Sequence, residues 1–189
     1  MKSKATGKVE LRPKINLEAF KLPLPKAFYY SQISTFKKCP LEYKYQYILN
    51  LPHPGNGSLS FGSTVHKAFE KFLNLYHQKL NSQDLFGAAE PELPPFETLK
   101  KMYEESWIDD WYDSASQKEE YKARGQRIMK DFFADCLKNP PKPKFIEKRF
   151  KLKLGDYYFT GKIDRGDETC SGLTLIDYKT GAPRPIEKV

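Results

Sequence analysis

The residue types best suited to chemistry are concentrated near the end of the chain. The run Leu173–Lys179 has the composition of a strand, and side chains alternate between faces along a strand, so Asp177 and Lys179 are predicted to share one face. Upstream, the run Gly161–Arg165 carries a second carboxylate, Asp164. A connecting loop of about seven residues would bring Asp164 close to Asp177 if the two strands pair.

Two converging carboxylates repel each other unless a cation lies between them. Mg²⁺ prefers hard oxygen ligands and leaves positions for water and a substrate phosphate. A lysine beside the metal can orient or deprotonate a water molecule and offset the charge that grows on a phosphate under attack. The alternative is a surface ion pair between Asp177 and Lys179, worth about 0–1 kcal/mol.

The elements that must position these residues are predicted from hydrophobic periodicity. Apolar residues alternate over 145–154, 157–165 and 173–179, with turns at Gly155-Asp156 and at 166–172, which predicts a three-strand antiparallel meander. Upstream, apolar residues recur every three or four positions, which predicts amphipathic helices over 31–51 with a break at Pro40, 60–80, 96–113 and 117–138. The sequence therefore predicts helices first and a sheet last.

Charge is concentrated in the first quarter of the chain. Residues 1–50 contain ten basic and three acidic side chains, which is +7 of the formal net charge of +8. Aromatic residues are interleaved with these lysines, a pattern typical of a surface that binds a polyanion. The alternative is a solvated lysine tail.

Composition excludes two classes of protein. No run of about 18 apolar residues is present, and no apolar stretch follows the first residues, so we expect neither a membrane span nor a signal peptide. The three cysteines, Cys39, Cys136 and Cys170, are far apart and form no Cys-x-x-Cys pair, which favours a cytoplasmic location.

Four motifs occur in order along the chain. They are Ser31-Gln32-Ile33-Ser34-Thr35-Phe36-Lys37-Lys38-Cys39-Pro40-Leu41-Glu42-Tyr43, Phe61-Gly62-Ser63-Thr64-Val65-His66, Gly161-Lys162-Ile163-Asp164-Arg165 and Ile176-Asp177-Tyr178-Lys179-Thr180-Gly181. Each motif alone is common, but their order and spacing together closely resemble the RecB-like branch of the PD-(D/E)xK nucleases. The stretch from Trp107 to Gly125 is similar to the version at the C-terminus of UvrD/PcrA-like superfamily 1 helicases.

The resemblance implies a fold and a domain organisation. We expect an α/β, restriction-endonuclease-like core, in which a central, mostly antiparallel sheet is flanked by helices and a helical insertion. Residues 1–28 are predicted to be an extended lead-in or linker, and residues 29–189 the nuclease domain. Relatives continue past Lys-Thr-Gly into a further helix, so we expect the C-terminal part of the fold to be missing and the domain to be truncated there.

The resemblance also implies which residues form the site. The implied catalytic residues are Asp164, Asp177, Lys179 and His66, and the implied metal ligands are His66, Asp164, Asp177 and the carbonyl of Tyr178. Glu147 is a candidate additional acidic residue, with an outward-facing strand charge as the favoured alternative. The candidate residues for nucleic-acid binding are Gln32, Lys37, Lys38, Tyr43 and Arg165, although aromatic residues on a helix, such as Tyr43, can equally belong to the core.

The implied activity is hydrolysis of DNA phosphodiester bonds with Mg²⁺ or Mn²⁺. No iron–sulfur cluster is expected, because Cys136 and Cys170 lack the spacing that would let them join Cys39 as ligands. The expected partners are DNA, as a single strand or a duplex end, and a helicase motor in the same or a partner chain that acts in DNA repair or recombination; no membrane is expected. The alternatives are a catalytically inactive DNA-binding or docking module and, with less support, a CRISPR-associated nuclease.

Overall fold

The computed structural model describes residues 25–52, 54–83 and 92–181 of the 189-residue chain. The described elements are β1 (Ala27–Tyr29), α1 (Tyr30–Lys38), α2 (Pro40–Tyr43), a π-helix (Lys44–Ile48), α3 (Gly57–Gln83), α4 (Phe96–Glu105), α5 (Ala115–Lys138), β2 (Pro143–Leu154), β3 (Tyr157–Thr169) and β4 (Gly172–Ile176). This confirms the predicted α/β architecture. None of the described helices has the length and apolar character needed to cross a membrane.

The sheet is built around β3. Strand β2 pairs antiparallel with β3 over nearly its whole length, from Pro143 opposite Asp167 to Leu154 opposite Tyr157. On the other edge of β3, β1 pairs in parallel with residues 158–160, and β4 pairs antiparallel with residues 165–169. The predicted antiparallel meander is therefore confirmed, and β1 makes the four-stranded sheet mixed.

Strand β1 was not predicted from the sequence. It contains Ala27 and Phe28, which lie at the end of the predicted lead-in, whereas residues 1–24 of that lead-in lie outside the described residues. The hydrogen bond from the Tyr158 N–H to the Lys26 carbonyl, at 2.8 Å, continues this pairing. Three residues are too few to show a period of two, so the strand becomes apparent only from its partner.

The core packs three helices together on one apolar stripe of α3. Buried residues of α3 meet α4 through Leu99 and Tyr103 and α5 through Met129. The buried α3 residues in this cluster are Phe61, Val65, Ala68, Phe69 and Phe72. Their three- and four-residue spacing is the one that predicted the helix, because a stripe at this spacing buries one face of a helix.

Two glycines on the helices differ in the space around them. A Cβ added at Gly125 on α5 would lie 2.0 Å from the Tyr103 Oη atom, so this position allows α5 to approach α4 closely. A Cβ at Gly62 on α3 would lie 3.4 Å from Thr180 Oγ1, an ordinary contact distance. Close helix packing therefore depends on Gly125.

Helix α4 is shorter than predicted. It ends at Glu105 rather than near residue 113, and Trp107 and Trp111 lie in the loop that follows. In this loop the Trp107 ring stacks on Tyr112 with centroids 5.4 Å apart, and the Ser114 side chain accepts the Gln117 N–H to begin α5. Side-chain stacking and the helix cap override the helical periodicity of the aromatic residues.

Candidate metal centre

Asp164 lies in the C-terminal half of β3 and is 7% exposed. Its Oδ2 atom accepts a hydrogen bond from the backbone N–H of Tyr178 at 2.8 Å. The Tyr178 ring packs on the helical core, with its centroid 4.9 Å from that of Phe69. The core thereby fixes the residue that holds the Asp164 carboxylate.

His66 reaches the same carboxylate from the helical side of the molecule. It lies on α3 beside the buried apolar stripe, and its Nδ1 atom is 3.4 Å from Asp164 Oδ2. Its side chain is 31% exposed, so one edge of the ring faces the solvent-accessible side of α3. The long helix therefore brings a potential nitrogen ligand to the Asp164 carboxylate on β3.

Glu147 completes the group from β2. It lies between Ile146 and Lys148, which pair with Arg165 and Ile163, and this register places Glu147 across from Asp164. Its φ of 53° lies in the left-handed region, a conformation that costs a non-glycine residue about 1–2 kcal/mol. Such strain is concentrated at functional sites, and here it occurs at the strand residue whose carboxylate joins Asp164.

The three side chains together have the composition of a metal site. One potential ligand atom from each of His66, Glu147 and Asp164 lies within 4.8 Å of the others. Glu147 Oε2 is buried, and the Lys162 ammonium forms an ion pair with this oxygen. Two carboxylates and one imidazole fit a divalent cation that prefers oxygen ligands.

The electrostatics of the group favour a positive charge. The hydrogen bond to Asp164 raises the pKa of His66 against the opposing effect of burial, and the charges of Asp164 and Glu147 raise it further. Burial alone would raise the pKa of Asp164, but the hydrogen bonds from His66 and the Tyr178 N–H bring it below its ordinary value. Without a metal, the group therefore attracts a proton to His66.

Asp177 and Lys179 lie next to this group but not in it. Strand β4 ends at Ile176 instead of continuing to Lys179, because the Tyr178 N–H donates to Asp164 rather than to a strand carbonyl. The Lys179 Nζ atom contacts both Asp177 carboxylate oxygens, at 2.7 and 2.8 Å, and both side chains are more than half exposed. This is the surface ion pair that the sequence left open as an alternative. The Tyr178 carbonyl as a metal ligand stays a prediction.

The predicted nucleic-acid-binding residues fall into two sets. On α1, Lys37 and Lys38 are exposed, and Gln32 accepts the Tyr29 N–H at 2.8 Å. Tyr43 is only 7% exposed and packs against the Phe36 ring, so its placement favours the core alternative.

Arg165 belongs with the buried set. Its side chain is 11% exposed, and its Nε atom lies 3.0 Å from Asp167 Oδ1. Its guanidinium also lies 5.7 Å from the centroid of the Tyr178 ring. This placement favours a structural role, in which Arg165 supports the residue that binds Asp164.

Sequence reasoning missed Lys162. It forms an ion pair with Glu147 and lines a cavity of about 520 Å³ together with His66, Gly62 and Thr180. The signal was present, because Lys162 precedes Asp164 by two residues on one strand and therefore shares its face.

The comparisons with known proteins give one match. A model of the PD-(D/E)XK nuclease superfamily matches residues 28–189. The comparison with curated proteins and the comparison with solved structures found no match. The α/β architecture with its mixed four-stranded sheet is consistent with the restriction-endonuclease-like fold of this superfamily.

Proposed function

The chain belongs to the PD-(D/E)XK nuclease superfamily, and from this membership we propose that it hydrolyses DNA phosphodiester bonds with Mg²⁺ or Mn²⁺. Membership indicates a nuclease that uses a divalent metal ion. The observation that carries the finer proposal is the convergence of ligand atoms of His66, Glu147 and Asp164 within 4.8 Å, where His66 and Glu147 also line a cavity. Hard oxygen ligands of this kind suit Mg²⁺ and Mn²⁺.

Each residue of the group has a distinct part in this proposal. His66, Glu147 and Asp164 hold the ion, and the Tyr178 N–H keeps the Asp164 carboxylate turned towards it. A bound divalent ion polarises the phosphoryl oxygen and lowers the pKa of a coordinated water. Gly62 and Ser63 on α3 line the same cavity as His66 and Glu147, and this cavity is the space in which a phosphodiester would approach the ligands.

We keep Asp177 and Lys179 as catalytic residues in this proposal because they lie next to the three candidate ligands. They flank Tyr178, which binds Asp164 through its backbone, and they directly follow the strand that pairs with β3. If the ion pair separated, the Asp177 carboxylate would be available to bind the metal. The Lys179 ammonium would then be available to hydrogen-bond the attacking water. A surface ion pair of this kind is worth only about 0–1 kcal/mol, so its separation costs little.

Cleavage of labelled single-stranded and duplex DNA with Mg²⁺, Mn²⁺ or EDTA tests the proposal. Asp164→Asn keeps the size of the side chain but removes its charge, and we expect the rate to fall by about two orders of magnitude or more because metal-based charge stabilisation is lost. Asp156→Asn, in the exposed turn between β2 and β3, is the control and should cleave normally. Full activity of Asp164→Asn, or cleavage in EDTA, would contradict the proposal.

The alternative is a catalytically inactive DNA-binding or docking module. The observation that favours it is the pairing of Asp177 with Lys179 outside the group of three ligands. Wild-type protein that binds Mn²⁺ and DNA but cleaves neither DNA form would favour this alternative.

Coupling to a DNA helicase in repair or recombination is a further part of the proposal. Its support is the similarity of residues 107–125 to the helicase-fused version of the domain. In the structure these residues form a loop and the first half of α5, and Gly125 packs against Tyr103. Finding a helicase motor in the same open reading frame, or ATP-dependent stimulation of duplex cleavage by a partner helicase, tests this part.

A further inference from the structure

We propose that Lys162 neutralises Glu147 when no metal is bound and, once the ion is bound, binds a phosphate group of the DNA through its ammonium. The proposal rests on the proposed function, because it assigns a substrate contact to the same site. It concerns a lysine outside the Asp-Tyr-Lys motif.

The position of Lys162 carries the first step. It lies on β3 two residues before Asp164, on the same face of the strand, and its ammonium pairs with Glu147, one of the three metal-site residues. Lys179 instead pairs with Asp177, which is outside the group. Of these two lysines, Lys162 is the one whose ammonium contacts a candidate metal ligand, Glu147.

The charge of the group carries the second step. Glu147 Oε2 is buried and its partner is the ammonium of Lys162, which supplies the countercharge that a metal would supply. A divalent ion bound by Glu147 would take over that role and repel the ammonium. The lysine must then find another anion or return to water.

The cavity carries the third step. Lys162 lines the same space of about 520 Å³ as His66 and Glu147, and its side chain is 51% exposed, so the ammonium is free to swing away from Glu147 into the cavity. A phosphodiester near the metal must occupy this space. Its charged oxygens are strong acceptors for a lysine ammonium.

Lys67 is the control, because it shares the cavity, a similar exposure and a carboxylate partner with Lys162. It lines the same cavity, its side chain is 54% exposed, and it pairs with Glu70 at 2.8 Å. Glu70 is not part of the group of three potential ligands. The two lysines therefore differ in whether the carboxylate they neutralise is a candidate metal ligand.

The test compares Lys162→Gln and Lys67→Gln with the wild type, after circular dichroism has shown that both variants are folded. Calorimetric titration with Mn²⁺ in the absence of DNA should show at least about two- to fivefold tighter binding for Lys162→Gln, the effect of losing an ion pair worth about 0.5–1 kcal/mol that competes with the metal for Glu147. Lys67→Gln should bind Mn²⁺ like the wild type.

The second readout is binding of a fluorescein-labelled single-stranded oligonucleotide, measured by anisotropy with Ca²⁺ in place of Mg²⁺. Lys162→Gln should bind several-fold more weakly, and its slope of log affinity against log salt should flatten by about 0.7, the value for one lost phosphate contact. Lys162→Arg should recover the wild-type slope. Opposite changes in metal and DNA affinity are not expected from a merely structural role.

Three results would overturn the proposal. Mn²⁺ binding by Lys162→Gln that is unchanged or weaker would show that the ammonium does not compete with the metal. An unchanged salt slope would show that it does not contact a phosphate, and equal effects in Lys67→Gln would show a general electrostatic effect. Wild-type protein that binds no Mn²⁺ would contradict the proposed function itself, and this failure is visible without any variant.

Discussion

The left-handed backbone of Glu147 leads to a prediction that reverses the usual effect of glycine in a strand. At an ordinary strand position, glycine is less stable than alanine by about 0.5–1 kcal/mol, because it loses more backbone entropy on folding. At a φ of 53°, alanine carries the steric cost of the left-handed region, about 1–2 kcal/mol, and glycine does not. Glu147→Gly should therefore be as stable as Glu147→Ala or more stable, by up to about 1.5 kcal/mol, the steric cost less the entropy term.

The comparison cancels the other consequences of the substitution. Both variants lose the carboxylate, the ion pair with Lys162 and the repulsion from Asp164, so the difference between them reports the backbone alone. Arg149, two residues further along β2 and exposed, has an ordinary strand backbone and provides the matched pair Arg149→Gly and Arg149→Ala. At this position alanine should be the more stable residue.

Urea unfolding in EDTA, followed by circular dichroism, measures all four variants. EDTA matters because metal binding by any residual ligand set would add to the stability of the native state. If glycine is less stable than alanine at position 147 by the same amount as at position 149, the residue does not hold a left-handed conformation. The explanation of how its carboxylate reaches Asp164 would then be wrong.

Three further predictions concern packing, reactivity and protonation. Gly125→Ala should lower the free energy of unfolding by 1 kcal/mol or more in urea titrations, because the methyl group overlaps a buried tyrosine ring, whereas Gly62→Ala should be neutral or stabilising by up to about 1 kcal/mol. Cys170 is exposed and should react quickly with a thiol reagent at pH 8, whereas Cys136, whose pKa burial raises to about 11, should react only when the protein unfolds; equal labelling rates would contradict this. In EDTA, His66→Gln should lower the free energy of unfolding below pH 6.5, because the ion pair of the protonated histidine with Asp164 is lost. The loss should shrink as the pH rises through the raised pKa of His66, and a loss independent of pH would refute this prediction.

The strands and long helices were predictable because their periodicity is local. Strand β2 begins two residues before its predicted start and ends at Leu154 as predicted, and α5 begins two residues early and ends at Lys138 as predicted. The end of β4 was not predictable from periodicity, since the alternation continues through Lys179 while the chain leaves the sheet at Ile176. A hydrogen bond to a side chain on another strand decides that end, and no local pattern contains it.

It was harder to predict which residues form the site than to predict where in the sequence it lies. The structure places His66 and Asp164 3.4 Å apart, as their motifs led us to expect, and their role as metal ligands stays a prediction. The sequence favoured an outward position for Glu147, since simple alternation within one strand says nothing about which partner lies opposite. The register of β2 on β3 and the left-handed turn at Glu147 decide that question, and both are properties of the folded chain.

The two carboxylates of the site differ in how firmly they are held, and this difference indicates where metal binding must change the protein. Asp164 is fixed by the Tyr178 N–H and by His66, and these contacts orient it before any ion arrives. Glu147 has a strained backbone, and the partner of its buried oxygen is the ammonium of a half-exposed lysine, Lys162. Of these two carboxylates, Glu147 with its partner Lys162 should therefore be the one that rearranges on metal binding. Because the core packs against the Tyr178 ring, the rigid half of the site is the half that the helices support.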